Sequence, residues 1–133
     1  KEEILCRISV LLGGRCAEKI IYGNISTGAG DDIEKVSSLV HKYALHWGMN
    51  ETLGPINPYV MGNISQNISN EFMDQCKQMI LNIEKQTLNF LNKYESYIKE
   101  IGTSLLQNET ILYKDIQNII PKEIENSQVI LSL

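Results

Sequence analysis

The stretch LLGGRCAEKIIYGNISTGAGDDIEKVSSLVHKYALHWGMNETLGP, residues 11–55, decides the fold of this chain. Its pattern predicts a helix, a short loop, a second helix and a turn. The loop NISTGAG places two adjacent carboxylates, Asp31 and Asp32, in the first turn of the second helix. They either favour the helix N-terminus, by capping and through the macrodipole, or reach a ligand. The apolar residues of this helix recur as on one buried face: Ile33, Val36, Val40, Tyr43, Ala44 and Trp47.

The residues before this loop predict a first helix, from Lys1 to Tyr22, that Gly23 ends as a C-cap. Gly13 and Gly14 lie inside the helix, where each glycine costs about 1 kcal/mol relative to alanine. A glycine-rich phosphate loop would follow a strand and lead into a helix, and these glycines do neither. We therefore interpret the pair as a seam at which another backbone packs closely.

Helical periodicity continues through the rest of the chain and predicts an all-α fold of four or five helices. We expect at most one short extended segment, at residues 56–61, and then a mobile polar loop at residues 62–70. The third helix is long and should pack antiparallel to a neighbour. The helices expected after the second cover about residues 70–95, 96–106 and 112–121.

Composition and charge argue against two kinds of partner. Twelve Lys and Arg residues against 16 Asp and Glu residues give a net charge of -4. The basic residues are scattered, so we expect no nucleic-acid partner. No apolar run approaches the roughly 20 residues that a membrane-spanning helix needs. The three cysteines, Cys6, Cys16 and Cys76, show no paired spacing, which is typical of a reducing compartment.

The blocks LLGGRCAEKIIYG, STGAGDDIEKV and HWGMNETLGP resemble the second half of the peptidase domain of the FtsH-type proteases. These are membrane-anchored, ATP-dependent zinc metalloendopeptidases that degrade unfolded or membrane proteins. The resemblance continues weakly to LLQNETILYKDIQNII. It implies a partial zinc-metallopeptidase domain at residues 1–121, with residues 122–133 as a tail. The variant GAGDDIEKV is most similar to the mitochondrial inner-membrane branch, with a plastid or bacterial inner membrane as the alternatives.

The resemblance implies a zinc site in which an H-E-x-x-H helix supplies two histidine ligands and a glutamate base. An aspartate completes the ligands, and the matching position is Asp32. Asp31 keeps only its role at the helix N-terminus. This sequence contains no H-E-x-x-H. His41 and His46 are five residues apart, so they do not share a helical face as i, i+4 residues would. We expect neither histidine to bind zinc, which leaves this chain with one ligand of three and no catalytic residue.

Glu18 is the second residue that the resemblance singles out. In the family, the glutamate of the GRxAE block approaches the zinc-binding histidines, where a carboxylate fixes the tautomer of a ligand. Read from spacing alone, Glu18 is an ordinary helical glutamate that pairs with Arg15 at i, i+3, worth a few tenths of a kcal/mol. Both interpretations stay open from the sequence.

Two functions are compatible with these features. The first is part of the proteolytic domain of an ATP-dependent zinc protease, inactive as this chain alone. The second is a catalytically dead helical module of the same family that serves assembly or interaction. The resemblance also implies protein substrates, ATP bound in a separate ATPase domain, a homo- or hetero-hexamer, and membrane attachment through a segment outside this chain. Without the H-E-x-x-H helix we expect exposed apolar surface around Leu11, Leu12 and Val40.

Overall fold

The computed structural model describes residues 2–46, 54–55, 57, 60, 62 and 66–125. These residues form six α-helices and no strand, so the all-α prediction is confirmed. The loop between α1 and α2 contains a short 3₁₀ helix, Thr27–Ala29, and α2 runs on into a π-helical segment, Lys42–His46. The α-helices are α1 Glu2–Tyr22, α2 Gly30–His41, α3 Gln66–Asn92, α4 Glu95–Asn108, α5 Tyr113–Ile119 and α6 Lys122–Glu125.

The core lies where α1, α2 and α3 meet. Each helix contributes side chains at helical spacing, so one stripe of each faces the other two. Phe72 of α3 packs separately against Ala44 and Leu45 of the π-helical segment. The buried residues of the main cluster are Leu5, Ile8, Leu12, Cys16, Val36, Val40 and Ile83.

Two interhelical contacts show that α1 and α3 are antiparallel, as predicted for the long third helix. The Ser9 and Thr87 hydroxyls are 2.8 Å apart. About two turns further along α1 and one turn earlier in α3, the thiol of Cys16 lies 3.9 Å from the carbonyl oxygen of Glu84. Residue numbers rise along α1 as they fall along α3, which is the arrangement of antiparallel neighbours. Arg15 adds an ion pair across the same interface, with its Nε 3.3 Å from Glu84 Oε1.

The end of α1 follows the prediction, but the interpretation of its internal glycines is wrong. Gly23 adopts the left-handed conformation with φ +72°, and its N–H donates to the carbonyl of Lys19 at 3.1 Å. In contrast, a Cβ added at Gly13 or Gly14 would meet no atom within 4 Å. The core positions of α1 lie on another face of the helix, so among the described residues no backbone approaches this pair.

The apolar surface expected to be exposed on the first two helices is instead buried at Leu12 and Val40. Leu12 is 4% exposed and Val40 is 1% exposed, because the long helix α3 covers both. Leu11 is partly buried against the same core. Exposure occurs elsewhere: Ile33, placed on the buried face of α2 by its spacing, is 43% exposed. It lies a turn before the part of α2 that contacts the core.

The third helix begins earlier than its apolar pattern indicates. Residues 66–70, expected in a mobile loop, are the first turn of α3. They carry the polar sequence QNISN, in which the apolar period is absent, so the signal for a helix is weak. The extended segment expected at residues 56–61 lies mostly outside the described residues, as does Trp47.

The remaining helices lie beside the three-helix core. Neither α4 nor α5 contributes a fully buried residue. Helix α4 ends where Glu109 takes a left-handed conformation with φ 59° and its N–H donates to the carbonyl of Leu105. At the start of α5 the N–H of Leu112 donates to Asp115 Oδ2 at 3.0 Å, which fixes the first turn. Helix α6 lies in the stretch that the sequence left unassigned.

Candidate functional site

The loop from α1 to α2 ends in a capped turn that leads directly into the aspartate pair. Ser26 is extended, and its Oγ accepts a hydrogen bond from the N–H of Gly28 at 3.2 Å. This is the usual action of a serine N-cap, here on the 3₁₀ helix Thr27–Ala29. Gly30 closes that turn with its own N–H on the carbonyl of Thr27 and is the first residue of α2. The loop and the helix are therefore one continuous hydrogen-bonded path.

Neither aspartate caps α2. The N-cap position is Ala29, which makes no side-chain capping bond, and Asp31 and Asp32 follow inside the first turn. The capping interpretation is therefore wrong for both residues, because they lie past the N-cap position of α2. What remains of that interpretation is the favourable position of two negative charges near the N-terminal end of the helix dipole.

Asp32 presents an accessible carboxylate. Its side chain is 41% exposed, and Oδ1 lies 3.8 Å from Nζ of Lys35, one helical turn further on. Lys35 is itself 62% exposed in its side chain, so water screens this ion pair and it holds the carboxylate only weakly. The oxygen atoms of Asp32 are thus available to a ligand that approaches the exposed side of α2.

Glu18 does something that neither interpretation of the sequence anticipated. Its carboxylate accepts two hydrogen bonds from Ser26: Oε1 from the hydroxyl at 2.7 Å and Oε2 from the backbone N–H at 3.1 Å. The bond from the hydroxyl, and then that from the backbone N–H, hold the pKa of Glu18 below its ordinary value. Arg15, the partner of Glu18 in one of the two interpretations, forms its ion pair with Glu84 of α3. Its charge makes only a smaller contribution to the lowered pKa of Glu18.

Ser26 is therefore a site residue that the sequence pattern did not single out. A serine just before the start of a helix is a capping signal, so the sequence STGAG already indicated the capping role of Ser26. Its second partner, Glu18, lies eight residues earlier across a loop, and no periodic pattern reports such a contact.

The histidines do not join this site in the described part of the chain. His41 is exposed at the end of α2, and its ring meets Phe72 edge-on, with centroids 6.1 Å apart. The side chain of His46 lies outside the described residues. Among the residues that are described, no three His, Cys, Asp or Glu side chains lie close enough together to hold a metal ion. Asp32 thus stands as a single donor there.

One concave region of the described structure lies apart from these residues. A cavity of about 870 Å³ opens between α4 and α5, and most of the residues that line it are of polar type, among them Thr103, Gln107 and Asp115. Neither Asp32 nor Glu18 lines it. Within the described residues no helix combines the length and apolar character that crossing a bilayer requires.

Comparison with known proteins gives one consistent answer. A family model described as "Peptidase family M41" matches residues 1–119. The "ATP-dependent zinc metalloprotease FtsH" of Mycoplasma mobile is 35% identical over 134 residues, covering 90% of this chain and 19% of the relative. "ATP-dependent zinc metalloprotease FtsH 4" of Sorangium cellulosum is 30% identical over 128 residues, covering 86% of this chain and 20% of the relative. The protein of that type from Thermotoga maritima is 27% identical and is covered to 23%. The chain thus spans about a fifth of the length of the curated relatives it matches.

Proposed function

Because this chain belongs to peptidase family M41, we propose that it is part of the proteolytic domain of an ATP-dependent zinc metalloendopeptidase. The support is a family match over nearly the whole chain, together with relatives that carry that activity in their names. The fold agrees with the expectation of a helical part of such a domain. We propose this activity for the whole protein and not for this chain alone. The relatives are about five times as long as the part of them that aligns with this chain.

We assign Asp32 as the aspartate ligand of the zinc ion. The observation that carries this assignment is the accessible carboxylate at the start of α2, held by nothing stronger than a screened lysine pair. A carboxylate oxygen is a normal zinc donor, and a catalytic zinc needs two further protein donors. The described residues supply no such pair beside Asp32. We propose that an H-E-x-x-H segment, which this sequence does not contain, supplies those donors in the complete protein. When bound, zinc supplies the Lewis acid that peptide-bond hydrolysis by this class requires.

The remaining properties of the parent protein are proposals that rest on the family alone. They are protein substrates in unfolded or membrane-embedded form, an ATPase domain that binds ATP, a ring of six identical or related subunits, and membrane attachment through another segment. The relatives named above are bacterial proteins. The likeness of GAGDDIEKV to the mitochondrial branch finds no support among them, and it stays a prediction from the sequence.

The complete protein provides the test. We expect it to degrade an unfolded substrate such as casein when ATP is present, to stop when a zinc chelator is added, and to resume when zinc is restored. Reading the sequence before Lys1 should show H-E-x-x-H. A complete protein without that motif, and without chelator-sensitive proteolysis, would instead be the catalytically dead assembly module.

A further inference from the structure

We propose that Glu18 and Ser26 are positioning residues, which together fix the loop that aims Asp32. This inference rests on the proposed function, since the group they position is the proposed zinc ligand. It gives Glu18 a different task from the one implied by the family resemblance, which placed it against the zinc-binding histidines. We call the Glu18–Ser26–Gly28 hydrogen bonds the loop latch.

The loop latch consists of three donors and two acceptor groups. Glu18 accepts from both the hydroxyl and the N–H of Ser26, at 2.7 and 3.1 Å. The same hydroxyl oxygen accepts from the N–H of Gly28 at 3.2 Å. A hydroxyl that donates to a carboxylate becomes a better acceptor for its other partner, so the bonds reinforce one another. Loss of either side chain should therefore loosen the whole latch and not only its own bond.

One end of the latch is anchored in the core. Glu18 lies two residues after Cys16, which is fully buried between α1 and α3. Arg15, on the same turn of α1, is tied to Glu84 of α3. The carboxylate therefore projects from a part of α1 that packing holds in place, and it offers a fixed reference point for the loop.

The other end of the latch has little else to hold it. All residues from Gly23 to Gly28 are exposed, and only Ala29 is buried before α2 begins. Since burial fixes so little of the loop, hydrogen bonds must define its path. From Ser26 the chain continues through the 3₁₀ helix into α2 without a break, and Asp32 follows six residues later. A displaced Ser26 would thus carry the start of α2 with it, and a metal ligand tolerates only about 0.5 Å of such error.

Amide hydrogen exchange in the complete protein tests the latch directly, apart from any activity. The variants are Ser26→Ala, Glu18→Ala and their combination, with Ser26→Thr to restore the hydroxyl. Ser37→Ala is the matched control, because Ser37 is an exposed serine whose hydroxyl bonds only within α2, to the carbonyl of Ile33. Each single Ala variant at the latch should speed exchange at both amides, those of residues 26 and 28. Ser26→Thr and Ser37→Ala should exchange like the parent.

Zinc retention against a competing chelator gives the second measurement. Each latch variant should lower zinc affinity about tenfold or more, the usual cost of losing a group that orients a ligand. The double variant should lose no more than the worse single variant, because both changes break one linked set of bonds. Threonine at position 26 should restore the affinity.

Two results would overturn the latch. One is unchanged exchange at residues 26 and 28 in both Ala variants. The other is a large loss of zinc with Glu18→Ala beside none with Ser26→Ala, which would mean that Glu18 acts on the metal ligands themselves. The variant Asp32→Ala separates a failure of the loop latch from a failure of the proposed zinc ligand. If that variant kept its zinc, the ligand assignment would fail, while the exchange result would still decide whether the latch exists.

Discussion

Replacing Thr87 by valine should weaken the contact between α1 and α3 at its one buried hydroxyl. Thr87 is 5% exposed. Its hydroxyl donates to the carbonyl of Ile83 at 2.8 Å, which uses its only proton. The hydroxyl of Ser9, 2.8 Å away, is therefore the donor in the bond between the helices, and Thr87 is the acceptor. Valine keeps the shape of threonine and removes this acceptor.

The expected magnitude follows from what is left unbonded. After Thr87→Val, the half-buried Ser9 hydroxyl loses its partner but can turn to the carbonyl of Leu5, four residues earlier in α1. We therefore expect a loss of about 1–2 kcal/mol in the free energy of unfolding, not the full cost of a buried orphan. Ser9→Ala leaves the bond from Thr87 to Ile83 intact and should cost about 0.5–1 kcal/mol. The double variant should cost no more than Thr87→Val alone.

Urea unfolding followed by far-ultraviolet circular dichroism measures these losses as shifts of the midpoint at constant slope. Thr103→Val is the matched control. Its hydroxyl makes the same kind of bond, to the carbonyl of Lys99 at 2.9 Å, but on the exposed side of α4. It should change stability by no more than about 0.5 kcal/mol. The reasoning is refuted if Thr87→Val matches this control, or if the two single losses simply add in the double variant.

Three other expectations concern the core, a cysteine and the metal. Ile83→Ala should lower the free energy of unfolding in urea by about 2–5 kcal/mol, because Ile83 is fully buried. Leu106→Ala, at an 85% exposed position, should lower it by almost nothing. Equal losses in the two variants would contradict the position of Ile83 in the core. Burial raises the pKa of Cys16 from 9.0 to about 11. In the folded protein Cys16 should therefore resist alkylation at pH 8, while the exposed Cys6 reacts. Equal alkylation rates of the two thiols would contradict the burial of Cys16. Because the folded pKa is the higher one, the stability due to Cys16 should be complete below pH 9 and fall as the pH rises towards about 11. Calorimetric titration of this chain alone should show weak zinc binding, and casein should remain intact; tight binding at one equivalent would contradict a single-donor site.

Periodicity predicted the helical core well because burial follows it directly. Val36 and Val40 lie on the expected face of α2, and α3 packs antiparallel to α1. Gly23 ends α1 as its sequence context indicates. The same method misplaced the start of α3, because QNISN has no apolar period to read.

The site was less accessible to prediction from spacing. Asp32 was identified by resemblance to a family, since a carboxylate in the first turn of a helix has a common structural explanation. The sequence did not indicate that Ser26 is the partner of Glu18, because a contact across a loop depends on the path of that loop. The close packing predicted at the glycine pair of α1 was wrong for a related reason. The cost of glycine in helix propensity suggests that some contact offsets it, but does not indicate where in the structure that contact lies.

Zinc content of the complete protein, compared between Asp32→Ala and Asp31→Ala, tests the central claim most directly. The two residues are neighbours in the first turn of α2, so both variants remove one negative charge from the same end of the helix. The account predicts that Asp32→Ala loses most of its zinc and its proteolytic activity while ATP hydrolysis continues, and that Asp31→Ala keeps nearly all of both. Equal zinc content and equal proteolysis in the two variants would contradict it.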